Sequence, residues 1–182
     1  MIQHRCRWCN LLNPLYVAYH DQEWGMPEYD DAKLFEFLIL ESFQAGLSWE
    51  TILKKRENFR RAFDNFDPQL IKDYEDAKIE KLMADPGIIR NRRKIEAAIH
   101  NARIFLRIQE DWGSFRNYIW HFTDGNIIYE VDRTSSPLSD IIASDLKARG
   151  IKFIGTTIVY AYLQAIGIIY SHEPQCYLYQ NA

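Results

Sequence analysis

Cysteines and histidines gather at the two ends of the 182-residue chain: Cys6, Cys9 and His20 near the start, His172 and Cys176 near the finish. Zinc takes four nitrogen or sulfur ligands in a tetrahedron, and a structural site closes all four positions. Pro174 bends the segment between His172 and Cys176, so both side chains can converge on one ion. At the other end two pairs compete. Cys6-x2-Cys9 has ligand spacing and is slightly favoured on spacing alone; Cys6 with His20 is the alternative. Unconnected thiols and surface histidines are the competing account of all five. A metal joining residues 6–20 to 172–176 would close a loop nearly as long as the chain and hold ends that otherwise fray. Its loss would then destabilise the ends before it reached any chemistry elsewhere. An odd number of cysteines argues against a disulfide framework and for a reducing compartment, so a cytoplasmic protein is expected.

Between Tyr16 and Trp49 lie groups suited to a flat, charged ligand. Tyr16, Tyr19 and Trp49 offer ring faces, which attract cations. Glu41 follows Leu34 by seven residues and Leu38 by three, which puts it on an apolar helical stripe. A buried carboxylate is costly without donors or a cation, and a ligand carrying N–H groups would supply them. The competing account pairs Glu41 with an arginine and leaves the rings as core.

Gln44-Ala45-Gly46-Leu47-Ser48-Trp49 breaks one helix and starts the next, with Gly46 closing the first and Ser48 capping the second. Leu47 at this corner is either an exposed wedge or a hydrophobic staple on Ile52, and the two are compatible. Further on, Gly150-Ile151-Lys152-Phe153-Ile154-Gly155-Thr156-Thr157 makes a tight turn that opens a helix. Amides there form an anion site, with Lys152 beside them. The segment resembles the hairpin of helix-hairpin-helix base-excision glycosylases, usually Leu-Pro-Gly-Val-Gly, except that Phe153 stands at the first glycine. In that superfamily a lysine just after the hairpin forms the Schiff base of strand-cleaving members; here that position is Thr157. Most members also carry a catalytic aspartate downstream, whereas no Asp or Glu occurs from Thr156 to His172. So little acid–base chemistry suits a substrate whose base already leaves readily.

The elements that must position these groups are helical. Asp30 and Asp31 can cap a buried helix through LFEFLILESFQ, and a second runs from about Trp49 to Asn65. Asp67-Pro68 starts another by the first-turn proline rule. Residues 92–110 form an amphipathic helix, Ser136-Pro137 opens one that Gly150 closes, and Gly155–Gly167 reads as the last. Ile127–Val131 is a candidate short strand. No repeat or linker interrupts the chain, so one domain of two helical lobes folded as a unit is expected. Hydrophobic residues make up 47%, ample for a core, and no apolar run is long enough for a membrane span. The net charge of −3 hides an asymmetry: residues 1–50 carry three Lys/Arg against eight Asp/Glu, while 51–107 carry fourteen against nine. Arg90, Arg92, Arg93, Lys94, Arg103 and Arg107 are interrupted by Glu96 alone. Such a stretch can neutralise phosphates, although taken alone it is better explained as a solvated helix face.

Taken together, Arg5-Cys6-x-Trp8, Pro14-Leu15-Tyr16-Val17-Ala18-Tyr19-His20-Asp21-x-Glu23-Trp24-Gly25-x-Pro27, Leu40-Glu41-x-x-Gln44-Ala45-Gly46-Leu47-Ser48-Trp49, Gly87-Ile88-Ile89-Arg90 and Phe153-Ile154-Gly155-Thr156-Thr157 resemble the DNA-3-methyladenine glycosylase I family. The resemblance runs from about residue 5 to Cys176. It implies an all-α, helix-hairpin-helix glycosylase fold whose N- and C-terminal regions are stapled by one structural zinc. The family's ligands fall on Cys6, His20, His172 and Cys176, which decides against Cys9. Its base pocket falls on Tyr16, Tyr19, Glu41 and Trp49, with Glu41 recognising the base rather than acting as a strong acid or base. Gly46, Leu47, Lys152, Gly155 and Thr156 would meet DNA. The implied enzyme is a monomer that hydrolyses the N-glycosidic bond of 3-methyladenine in double-stranded alkylated DNA, releasing the free base without strand cleavage. The rival readings are a glycosylase for a different alkylpurine and a non-catalytic zinc-stapled DNA-binding module.

Overall fold

The computed structural model describes residues 3–44 and 46–180. Helix α1 (Pro14–Gln22) begins at Asn13, whose side chain accepts from the Leu15 amide, with Pro14 at the first helical position. Helix α2 (Asp31–Gln44) is the axis of the fold, and every residue from Leu34 to Phe43 is buried. Asp30 caps it by accepting from the Lys33 amide at 3.1 Å. Asp31 has a different task from the expected one. Its carboxylate accepts from the Phe115 and Arg116 amides, each at 2.8 Å, and so caps helix α7 (Phe115–Trp120) from across the core.

Helix α3 (Trp49–Ala62) starts on Ser48, which accepts from the Thr51 amide. It stops three residues short of the expected Asn65, because Asp64, Asn65 and Phe66 all take left-handed backbone angles and turn the chain. Asp67 then caps the short α4 (Pro68–Ile71), and α5 (Asp76–Ala84) follows. Helix α6 (Arg92–Trp112) buries the expected stripe of Ile95, Ala98, Ile99, Ala102 and Phe105. A reciprocal capping box between Ser136 and Ser139 opens α8 (Pro137–Arg149), and Gly150 closes it at φ +105°. The last helix, α9 (Thr156–Ala165), packs on both α8 and α2. Beside the helices the described residues form one minimal parallel pairing, β1 (Ile128–Tyr129) with β2 (Ile169–Tyr170). The sequence suggests β1 but not its partner, 41 residues away.

One buried cluster runs from Cys6 to Cys176, and the two ends of the chain lie side by side. Gly167 makes part of that closure possible. Its φ is +73°, and a Cβ there would lie 2.3 Å from the Met26 carbonyl carbon and 2.4 Å from the Pro27 nitrogen. Only glycine lets the loop after α1 run this close to the end of α9, where the Gly25 and Glu28 amides donate to Gln164 and Ile166.

Candidate active site and metal cluster

Helices α1, α2 and α3 turn aromatic and acidic side chains into a cavity of about 360 Å³. Tyr16 and Tyr19 come from α1, Glu41 from the last turn of α2, and Trp49 from the first turn of α3. The corner between α2 and α3 is what brings Glu41 and Trp49 together. Tyr19 and Trp49 rings lie 5.4 Å apart at 47°, so they form adjoining walls rather than a closed stack. The expected four-residue pocket is therefore assembled in space.

Its electrostatics are unusual. Glu41 is 3% exposed, and burial pushes its carboxyl up to about 8. Among the described residues Glu41 Oε2 and Trp49 Nε1 have no hydrogen-bond partner, and both belong to residues that line the cavity. Buried polar groups are nearly always satisfied, so an acceptor and a donor left open in one cavity mark a place for a ligand with a polar edge. The arginine alternative for Glu41 does not hold: Arg56 and Arg60 are instead engaged by Glu36, with Glu23 completing the network. Burial also raises the Tyr19 and Tyr16 phenols, the latter to about 12, so both rings are neutral near pH 7.

Immediately behind the cavity, Cys6, His20, His172 and Cys176 converge with all four ligand atoms within 4.8 Å of one another and all four residues buried. Cys6 Sγ is 3.4 Å from His172 Nδ1, and Cys176 Sγ is 3.5 Å from both His172 Nδ1 and His20 Nε2. The remaining ring nitrogens are held as metal-bound histidines usually are: His20 Nδ1 by Asp21 at 2.8 Å, His172 Nε2 toward the Trp24 carbonyl at 3.3 Å. Asp21 is itself locked by the Arg5 guanidinium, which holds its carboxyl down to about 2. The Glu173 and Leu178 amides point at the two sulfurs, as they would at thiolates. Cys9 lies apart, its sulfur 3.9 Å from the Tyr16 carbonyl.

Residues 8–179 match the family described as methyladenine glycosylase. The chain belongs to that family. It is 45% identical over 182 residues to DNA-3-methyladenine glycosylase 1 of Escherichia coli strain K12, covering 96% of each chain. The crystal structure of a 3-methyladenine DNA glycosylase I superposes with a TM-score of 0.93 at 46% identity, covering 97% of this chain and 100% of that one. The Staphylococcus aureus enzyme, solved to explain its recognition of 3-methyladenine, gives 0.91 at 35% identity over 95% of both chains.

In this methyladenine glycosylase the pocket has walls that residue-by-residue reading left out. Trp8 and Trp24 line the cavity, and both fall inside the stretches around Cys6 and His20 that carry the family resemblance, so their aromatic type was a usable signal. They also join the two sites. The Trp8 ring lies 5.3 Å from Tyr16 and 5.2 Å from His20, and Trp24 lies 4.7 Å from His172. The metal cluster is thus one ring away from the base cavity. A further part of the lining comes from Asp132, Arg133 and Thr134, and no sequence pattern links that loop to Tyr16.

The glycosylase hairpin forms between α8 and α9. Phe153, where the first glycine was expected, is left-handed at φ +53° and 41% exposed. Gly155 caps α9 without a side-chain acceptor, and the Lys152 side chain is exposed beside it. At the α2–α3 corner Gly46 has φ +83° and Leu47 is 39% exposed, while Ile52 is fully buried.

Proposed function

We propose that this protein hydrolyses the N-glycosidic bond of 3-methyladenine in alkylated double-stranded DNA and leaves an intact abasic site. The observation that carries the reading is the pair of open polar groups, Glu41 Oε2 and Trp49 Nε1, in a ring-lined cavity of base size. The relatives named for 3-methyladenine support the choice of base.

Methylation at N3 gives the nucleoside a positive charge. When the C1′–N9 bond breaks, its electron pair neutralises the departing base, so no strong acid is needed. The water oxygen bonds to C1′ and its spare proton passes to solvent. The protein's part is to extrude the nucleotide and hold the base. Glu41 accepts from the polar edge of the base, Trp49 stacks on it, and Tyr16 and Tyr19 complete the walls. Cation–π attraction adds about 0.5–2 kcal/mol per ring in favour of the charged nucleoside over normal adenine. Gly46 and Leu47 at the exposed corner would fill the gap left by the extruded nucleotide. Lys152, Gly155 and Thr156 would hold a backbone phosphate at the start of α9. Thr157 offers no amine, which supports base removal without strand cleavage.

The four-ligand cluster suits one zinc ion. Bonds of about 2.3 Å to sulfur and about 2.0–2.1 Å to nitrogen imply tetrahedral sulfur–nitrogen edges near 3.6 Å; three of the sulfur–nitrogen edges are 3.4–3.5 Å, and all four ligand atoms lie within 4.8 Å. Bound there, zinc would supply structural cross-linking of the two chain ends. We take the chain as a single domain acting as a monomer in the cytoplasm; among the described residues no helix is long and apolar enough to cross a membrane, and the three cysteines form no disulfide. Incubation with methylated duplex DNA and chromatography of the released bases tests the reading. Free 3-methyladenine is expected; a different alkylpurine, or tight DNA binding with no base released, would overturn it.

A further inference from the structure

Helix α6 touches both elements proposed to grip DNA, and it does so from one buried stripe. Near its start Lys94, grouped by sequence with the solvated arginines, is in fact 7% exposed and donates to the Phe43 carbonyl at 2.9 Å. That carbonyl belongs to the last turn of α2, just before the corner that carries Leu47; the Leu47 amide closes the turn on Gln44. Seven residues on, Asn101 is 1% exposed and grips the hairpin backbone twice. Its Oδ1 accepts from the Lys152 amide at 2.8 Å, and its Nδ2 donates to the Lys152 carbonyl at 3.0 Å. His100 adds a contact between Nε2 and the Gly150 carbonyl at 2.9 Å.

Residues seven apart face the same way, two turns or about 10 Å along the axis. We infer that Lys94 and Asn101 are positioning residues through which α6 fixes the distance between the Leu47 corner and the hairpin, and with it the affinity for DNA whose nucleotide has been extruded. The physical case is economical. One gripped segment is the end of α2 and the other a loop, and a wedge and a phosphate clamp can engage one duplex together only at one spacing. Neither side chain lines the base cavity, so the role separates from base recognition. The hairpin needs such support, because Phe153 holds a left-handed conformation that costs a non-glycine residue free energy.

The inference rests on the proposed DNA contacts, and its test distinguishes the two. The probe is a duplex containing a tetrahydrofuran abasic analogue, titrated by anisotropy at several salt concentrations, with free 3-methyladenine titrated in parallel. Wild type should bind both; failure to bind the duplex would overturn the DNA-contact reading and this inference with it. Asn101→Ala should lose about tenfold in duplex affinity, the equivalent of one or two hydrogen bonds. Its slope of log K against log salt should become shallower by about 0.9, one phosphate contact. Lys94→Met should weaken duplex binding with the slope kept, because the corner it supports is apolar. Both should bind free base as wild type does. A role in stability alone would leave duplex affinity and slope unchanged in folded protein, and that result overturns the inference, as would equal losses for duplex and free base. If Asn101→Ala does not fold, the half-buried His100→Ala carries the test: a severalfold loss with a shallower slope is expected, and wild-type values overturn it.

Discussion

Replacing Glu41 by glutamine should stabilise the free protein at neutral pH while weakening its hold on the base. The carboxyl is buried, and its pKa is carried from 4.5 to about 8 by loss of hydration. A displacement of that size corresponds to a ceiling of ~5 kcal/mol. Below pH 4.5 the group is protonated in both folded and unfolded chains and imposes no pH-dependent cost. As the pH rises, the unfolded chain releases its proton first, so stability is lost progressively between 4.5 and about 8 and is level above that. Water entering a 360 Å³ cavity returns part of the hydration. We therefore expect Glu41→Gln to be about 1–3 kcal/mol more stable than wild type at pH 7.5, and the advantage to shrink toward zero at pH 4.5. Over the same change, affinity for free 3-methyladenine should fall by about 1–3 kcal/mol, the cost of leaving a buried polar group of the base without its partner. Urea unfolding at the two pH values, with titration of the base followed by tryptophan fluorescence, measures both. A variant less stable than wild type at pH 7.5, or one that binds the base normally, would refute the reasoning.

Elemental analysis should find one zinc per chain, retained in Cys9→Ala and lost in Cys176→Ala; zinc loss on replacing Cys9 would contradict the cluster geometry. Because Trp8 and Trp24 stand between the cluster and the cavity, chelation should weaken free-base binding as well as lower the unfolding temperature. Unchanged binding by a chelated, folded protein would show that the two sites are independent after all. Borohydride treatment of the enzyme on methylated DNA should trap no covalent adduct, since residue 157 is threonine; a trapped band on a denaturing gel decides otherwise. Gly167→Ala should cost about 3 kcal/mol or more in urea unfolding, because the added methyl meets backbone atoms of Met26 and Pro27 and its φ is left-handed.

The local chemistry of this fold was written in short stretches of sequence. Asn13-Pro14, Ser48, Asp67-Pro68, Ser136-Pro137 and Gly150 start or stop helices where capping rules place them, because those signals act within three or four residues. Glu41's apolar stripe likewise announced its burial. What periodicity left open was pairing at a distance. The N-terminal ligand choice leaned slightly toward Cys6 with Cys9 on spacing and was turned to His20 only by the family resemblance; the structure shows why Cys9 falls outside, since a turn sends it toward α1 while His20 folds back beside Cys6. Asp31 looks like a cap for its own helix and serves α7 instead, because a carboxylate goes to whichever amides tertiary packing leaves unsatisfied. Lys94 looks solvated beside its arginines, yet its position on the inward stripe sends its amine to the end of α2. The strand β2, the wall from Asp132 to Thr134 and the tryptophans between metal and cavity depend on which distant segments meet. That is settled by filling one core around α2 and by Gly167 letting two backbones touch, and neither cause is visible within any window of the chain.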